Sequence, residues 1–155
     1  MKNFKTLAAV ALVSALAITG CQKAEAAVVA LPVDASISYA DNTVIDKEGV
    51  EVKLGTEVNK FRLGLTGFAT DERVESLGGY AGIPIYVQNT RLAVVPQIRV
   101  ERYFDIEETV GGIGLGLEYK LTDTVRIEGV ALANRGFDNS DVRGETYTVG
   151  LTKRF

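Results

Sequence analysis

The chain has 155 residues, enough for one domain, and a formal net charge of −3 at neutral pH. It contains no histidine, which excludes hydrolases and proteases that activate their nucleophile with a histidine. A mildly acidic chain without a basic cluster is also a poor binder of nucleic acid. We therefore expect neither an enzyme nor a partner of DNA or RNA.

The first segment is typical of a secretory signal. Two lysines precede an apolar run over 7–18, which is too short to span a membrane. Two cleavage sites fit the residues that follow. The motif ITGC resembles a lipobox, which would be cut before Cys21 and would lipidate it, whereas AEA resembles a site cut after Ala26. We assign residues 1–26 to a signal peptide and leave both sites open. Cys21 is the only cysteine, so no intrachain disulfide can form.

Strand-like segments follow a short linker and alternate with turn-rich stretches. No apolar run after the signal approaches the roughly 20 residues of a membrane helix. Each segment alternates apolar and polar side chains, and its length is close to the roughly 9–11 residues that cross a bilayer as a tilted strand. The eight predicted strands are 33–40, 50–58, 61–69, 77–87, 92–103, 110–121, 125–134 and 145–155.

Three tight connections test this assignment of faces. Antiparallel partners lie on the same face, so the apolar positions fix whether a turn has an even or an odd number of residues. The even turn Asn59-Lys60 pairs Val58 with Phe61, and the turns at 89–90 and 122–124 also have the required parity. The longer connections are polar, and we predict them at 41–49, 70–76, 104–109 and 135–144.

Two prolines fall inside adjacent predicted strands, where each removes a backbone donor from the ladder. The predicted register places Pro84 opposite Val95 and Pro96 opposite Ile83. Because both defects then lie together, we expect a β-bulge at this point.

Charged side chains collect on one face of the strands, and the apolar face has none midway along its length. A cationic side chain that faces lipid at the bilayer centre costs about 2–4 kcal/mol. We therefore expect the apolar face to meet lipid and the charged face to line the lumen, where each ion needs a partner. A narrow ion path is the alternative use of the same charges. Besides Asp34, the predicted lumen network comprises Glu51, Lys53, Glu57, Arg62, Arg91, Arg99, Glu101, Glu118, Lys120, Arg126, Glu128 and Arg154.

The chain ends on a strand with one apolar and one polar face. Its last residues, VGLTKRF, resemble the C-terminal signal of bacterial outer-membrane β-barrels, and GLGLEYKLTDTVRIEG (114–129) is similar to the strand–turn–strand units of small eight-stranded barrels of the OmpA/OmpX type. In that family the barrel-assembly machinery reads the C-terminal signal. The resemblance implies that the signal residues here are Tyr147, Val149, Gly150, Leu151 and Phe155.

The resemblance and the pattern agree on the fold. We expect residues 33–155 to form an all-β, closed, eight-stranded antiparallel up-and-down transmembrane β-barrel in the bacterial outer membrane. Aromatic girdles are expected at both membrane interfaces. Their members would be Tyr39, Phe104 and Tyr147 at one end and Phe61, Tyr119 and Phe155 at the other.

Function is less constrained than fold. We expect a monomer with a structural or surface-interaction role, whose partners are outer-membrane lipid, lipopolysaccharide and, during biogenesis, the barrel-assembly machinery. No cofactor or metal is expected, because ordinary turn chemistry accounts for the acidic stretch 138–141. Two alternatives stay open: a small passive channel, and a periplasmic lipid-anchored β-barrel that binds a small ligand.

Overall fold

The computed structural model describes residues 32–155, so the predicted signal peptide and Cys21 lie outside the described residues. No helix in this part of the chain is long and apolar enough to cross a membrane. The strands are β1 (Val33–Asn42), β2 (Lys47–Val58), β3 (Phe61–Ala69), β4 (Val74–Gly82), β5 (Ile85–Tyr86), β6 (Leu92–Tyr103), β7 (Glu108–Lys120), β8 (Val125–Gly136) and β9 (Arg143–Arg154).

The strands close into a barrel. Strands that are consecutive in the chain pair antiparallel, except β4 and β5; in addition, β1 pairs with β9 and β4 pairs with β6. The two-residue β5 continues β4 along the edge of β6, so β4 and β5 together count as one strand of the barrel wall. The barrel therefore has eight strands around its circumference and no open edge. The predicted all-β, closed, eight-stranded barrel is confirmed.

The three tight turns have the predicted registers and lie at one end of the barrel, here called the turn side. Val58 pairs with Phe61 across Asn59 and Lys60, whose φ angles of 49° and 71° are those of a type I′ hairpin. The N–H of Leu121 donates to the carbonyl of Val125 at 2.9 Å across the odd turn. Parity of the apolar positions therefore predicted these hairpins correctly.

The predicted bulge at the prolines is wrong. Gly82 pairs with Gln97 and Ile85 pairs with Val94, so the register is the same on both sides of Pro84. The N–H of Ile83 still donates to the carbonyl of Pro96 at 3.0 Å. Backbone groups of alternate residues point to opposite neighbours, so the missing donor of Pro84 points toward β3. Since β3 only begins at Phe61, no ladder bond is lost there.

A register shift occurs elsewhere, between Phe68 and Ala69 at the other end of β3. This end, here called the loop side, has four connections at 43–46, 70–73, 104–107 and 137–142. They are shorter than predicted, because polar residues at the strand ends continue the ladder. β4, for example, includes Glu75 and Ser76 near its start, and β7 begins at Glu108.

The two faces of the wall differ as predicted. The outer face exposes a belt of large apolar side chains, including Leu65 (69%), Ile113 (67%) and Leu117 (62%). The inner face buries charged and hydroxyl side chains, while its few large apolar groups include Phe68 and Leu132. This is the inverse of a water-soluble barrel that binds an apolar ligand.

Gly150 sits at the closing seam between β9 and β1, opposite Ser38. A Cβ at Gly150 would collide with the carbonyl oxygen of Ile37 and with Ser38. The glycine therefore permits a close approach of the two terminal strands.

We expect Gly150→Ala to lower the free energy of unfolding by about 1–3 kcal/mol, as overpacking does. The measurement is the fraction of heat-shifted barrel after refolding in detergent, where no assembly machinery is present. Gly129→Ala is the matched control, because a Cβ there meets only the carbonyl oxygen of Thr148 at 3.8 Å. Equal losses in both variants would contradict the role of the seam.

Candidate functional site: the charged lumen

The turn-side third of the lumen holds a compact ionic cluster around Asp34 of β1. Arg126 Nη2 donates to Asp34 Oδ2 at 2.7 Å, and Arg154 Nε donates to Asp34 Oδ1 at 2.8 Å. Arg154 Nη2 also donates to Glu57 Oε2 at 2.9 Å. These bonds join β1, β2, β8 and β9, so they hold the closing seam together from inside.

Arg62 of β3 extends this cluster across the lumen. It pairs with Glu118 of β7, its Nη2 lying 3.3 Å from Glu118 Oε2. Its guanidinium also lies 3.6 Å from Glu57 and 3.8 Å from Asp34. Because Arg62 and Glu118 come from opposite parts of the sheet order, their pair crosses the barrel interior. Each buried charge of this cluster therefore has a partner of opposite charge, as a buried ion requires.

The middle of the lumen holds a second pair. Lys53 Nζ lies 2.5 Å from Glu128 Oε1, and Thr152 Oγ1 donates to Glu128 Oε2 at 3.1 Å. The same ammonium lies 5.7 Å from the centroid of the Tyr80 ring and 3.9 Å from Glu51 Oε1. Lys53 thus connects this pair to the next cluster toward the loop side.

Arg99 and Glu51 form the third cluster. Arg99 makes a two-point contact with Glu51, of which the Nη2–Oε1 bond is 3.1 Å long. The side chains are 2% and 1% exposed, so this is the most deeply buried ion pair described. Glu101 lies 3.7 Å from Arg99 and accepts the hydroxyl of Tyr103 at 3.1 Å.

Two large side chains are buried on the loop side of this pair. Tyr103 is 0% exposed and Phe68 is 2% exposed, and Asn42 Nδ2 donates to the Tyr103 hydroxyl oxygen at 2.8 Å. The Phe68 ring lies over Gly49, where a Cβ would come within 2.9 Å of it. The glycine therefore makes room for the ring.

A small cavity lies between the turn-side and middle clusters. Three polar atoms at its wall have no hydrogen-bond partner among the described residues: Ser36 Oγ, Arg62 Nε and Gln97 Nε2. Most of the residues that line it are polar or charged. Besides these three, the lining residues include Asp34, Lys53, Tyr80, Arg126, Glu128 and Thr152.

A separate ionic cluster ties the loop side together. Lys47 Nζ lies 2.9 Å from Glu75 Oε1 and 3.0 Å from Asp105 Oδ2, and Arg73 pairs with both carboxylates. Hydrogen bonds from Lys47 and Arg73 hold the pKa of Asp105 below its usual value. Three of the four loop-side connections therefore share one set of ion pairs.

The structure places most, but not all, of the predicted network in the lumen. Arg91 and Lys120 are exposed at the turn side, a correction to the prediction. Arg91 Nη1 donates to the carbonyl of Leu121, and Lys120 Nζ lies 3.3 Å from Asp123. Both residues occupy positions in the alternation of faces that predict a side chain directed into the lumen. They lie at the ends of the strands, however, beyond the last buried ion pair. The network that the structure brings together comprises Asp34, Glu51, Lys53, Glu57, Arg62, Arg99, Glu101, Glu118, Arg126, Glu128 and Arg154.

The lumen residues near the loop side that sequence reasoning missed include Glu75, Tyr103 and Glu108. Glu75 is fully buried, and Glu108 Oε1 accepts the backbone N–H of Asp138 at 2.8 Å. Glu75 and Glu108 were predicted to lie in loops. The two-residue spacing of Arg99, Glu101 and Tyr103, continued to the strand end, was the signal that could have found Tyr103.

The predicted assembly-signal residues lie on β9 and at its end. Tyr147, Val149, Leu151 and Phe155 all expose between 46% and 63% of their surface on the outer face. Among the described residues, no group of three or more histidine, cysteine, aspartate or glutamate side chains could hold a metal ion. The stretch 138–141 forms a turn in which the N–H of Asp141 donates to Asn139 Oδ1 at 3.0 Å.

Solved structures of transmembrane barrels are similar to this chain. A designed transmembrane β-barrel matches with a TM-score of 0.60 and 12% identity, over 80% of this chain and 95% of the other. The fold is that of the small transmembrane β-barrels. The outer membrane protein Ail of Yersinia pestis, solved in a phospholipid nanodisc, matches with a TM-score of 0.53 and 14% identity, over 81% and 99% of the two chains.

Neisserial surface protein A matches equally well, with a TM-score of 0.53 and 15% identity over 81% of this chain and 96% of the other. No protein-family model and no curated protein matches the sequence. The structural similarities confirm the predicted fold, a small eight-stranded transmembrane β-barrel.

Proposed function

We propose that this chain is a structural protein of the bacterial outer membrane, a barrel whose lumen is filled by its own ion pairs. Its role is to support the membrane or to make contacts at the cell surface. The observation that carries this proposal is the succession of paired charges from Asp34 to Glu101, closed at the loop side by Phe68 and Tyr103. An eight-stranded barrel is just wide enough for such side chains to fill.

Its surroundings follow from the same proposal. The apolar belt contacts outer-membrane lipid, the loop side meets lipopolysaccharide, and the residues at the C-terminus are read by the barrel-assembly machinery. The chain acts as a monomer and catalyses no reaction. A periplasmic lipid-anchored barrel is disfavoured because its outer face would meet water, whereas this outer face is a belt of apolar side chains.

A small passive channel is the second candidate, because the polar cavity at Ser36 and Gln97 gives part of the lumen the character of an ion path. Planar-bilayer recording separates the two. Refolded protein is first checked for a heat-dependent mobility shift on SDS gels and is then added to bilayers in concentrated KCl.

We expect no conductance steps from the wild-type barrel. A Phe68→Gly, Tyr103→Gly variant, which removes the two largest buried side chains at the loop side, is the matched control for a less obstructed lumen. It should conduct more than the wild type. The channel would be supported instead if the wild-type barrel gave regular conductance steps and the variant gave steps of the same size.

A further inference from the structure

Two arginines face each other on the outside of the barrel at the loop side. Arg135 is the next-to-last residue of β8, Arg143 is the first of β9, and the two are directly paired in the ladder. Both side chains are exposed. Like charges directly opposite each other destabilise a sheet, so packing within the barrel gives no reason for this pair.

Neither guanidinium has a hydrogen-bond or ion-pair partner in residues 32–155. Two other cationic side chains at the loop side differ in this respect, because Lys47 and Arg73 both form ion pairs with Glu75 and Asp105. The acid nearest along β9 is Glu145, and it accepts the hydroxyl of Tyr147. Both guanidiniums are therefore available to a ligand.

The depth of the pair follows from β9. Tyr147 lies on the same face four residues closer to the turn side, which is about 13 Å along the strand at about 3.3 Å per residue. Exposed tyrosines mark the boundary between hydrocarbon and headgroups. Val149 and Leu151 continue the apolar belt below it. Arg135 and Arg143 thus lie at headgroup level, in the leaflet on the loop side.

We propose that Arg135 and Arg143 bind a phosphate of the glycolipid that forms the outer leaflet, the phosphorylated lipid A part of lipopolysaccharide. A guanidinium matches phosphate oxygens with two parallel hydrogen bonds, and two adjacent guanidiniums match the charge of a phosphate monoester. The inference specifies the lipid partner of the proposed function and rests on the outer-membrane location.

Native mass spectrometry of the refolded full barrel tests the site. The probes are bisphosphoryl lipid A, the same lipid with its phosphates removed, and phosphatidylglycerol. The test variant is Arg135→Gln, Arg143→Gln. The matched control is Arg91→Gln, Lys153→Gln, which removes two exposed charges from the turn side.

Wild type and control should retain bisphosphoryl lipid A equally, and the test variant should bind it roughly tenfold more weakly. The lipid without phosphates should bind all three proteins alike. Equal weakening in both double variants, or equal retention of phosphatidylglycerol and lipid A by the wild type, would overturn the proposal. The heat-dependent mobility shift of each variant reports folding separately, so the failure of the barrel and the failure of the site are distinguishable.

Discussion

Arg99→Met is expected to lower the free energy of unfolding by about 3–5 kcal/mol, because it leaves a buried charge without its partner. Arg99 and Glu51 are nearly inaccessible to solvent, and the nearest remaining cation, Lys53, is 3.9 Å from Glu51 and already bound to Glu128. Urea titration in detergent, followed by the heat-shifted band on gels, measures the change.

Two further variants separate the effect of an unpaired buried charge from the effect of replacing an arginine side chain. Arg91→Met alters an exposed arginine at the turn side and should change the free energy of unfolding by no more than about 0.5 kcal/mol. The double variant Glu51→Leu, Arg99→Met removes both charges and should recover much of the loss. If Arg99→Met is no worse than Arg91→Met, the lumen pairs do not hold the barrel.

Leu115→Arg is expected to destabilise the barrel in lipid vesicles by about 2–4 kcal/mol. Leu115 lies midway along β7, is 56% exposed, and has Pro96 and Ala131 beside it in the ladder. Its side chain would therefore place a charge near the middle of the hydrocarbon layer. Denaturant titration of vesicle-inserted protein gives the value.

Leu121→Arg is the matched control, since Leu121 is 40% exposed and follows the end of β7 on the turn side. There the expected cost falls to about 0–1 kcal/mol. In a water-soluble barrel both positions would meet water, and the two substitutions would cost the same. Equal and small effects would thus contradict the membrane-spanning assignment.

Strand order, face and register of the hairpins could be predicted because they depend on a local pattern with a period of two. The pairing of Val58 with Phe61, for example, requires only the parity of nearby apolar residues. These registers are set by neighbours in the sequence. The chain-closing pair of β1 with β9 is not local, and it was expected because an open terminal strand would leave an exposed edge.

Features that depend on distant strands could not be predicted in the same way. Arg99 and Glu51 are 48 residues apart, and their contact depends on the stagger of several strands around the barrel. The bulge expected at Pro84 failed because the neighbouring strand β3 begins too late to need that donor. The position of Arg91 in the alternation of faces predicts a side chain that points into the lumen. The alternation does not say how far along the barrel axis a residue lies, and Arg91 lies beyond the turn-side end of the network.

The brevity of the loop-side connections decides where a reporter can be inserted. The connections 43–46, 70–73 and 104–107 have four residues each, and their ends are joined by the ion pairs of Lys47, Arg73, Glu75 and Asp105. An epitope placed in any of them would pull these pairs apart. The six-residue connection 137–142 offers the exposed Ser140–Asp141 peptide, so a tag inserted there should be displayed to antibodies on intact cells without disturbing assembly.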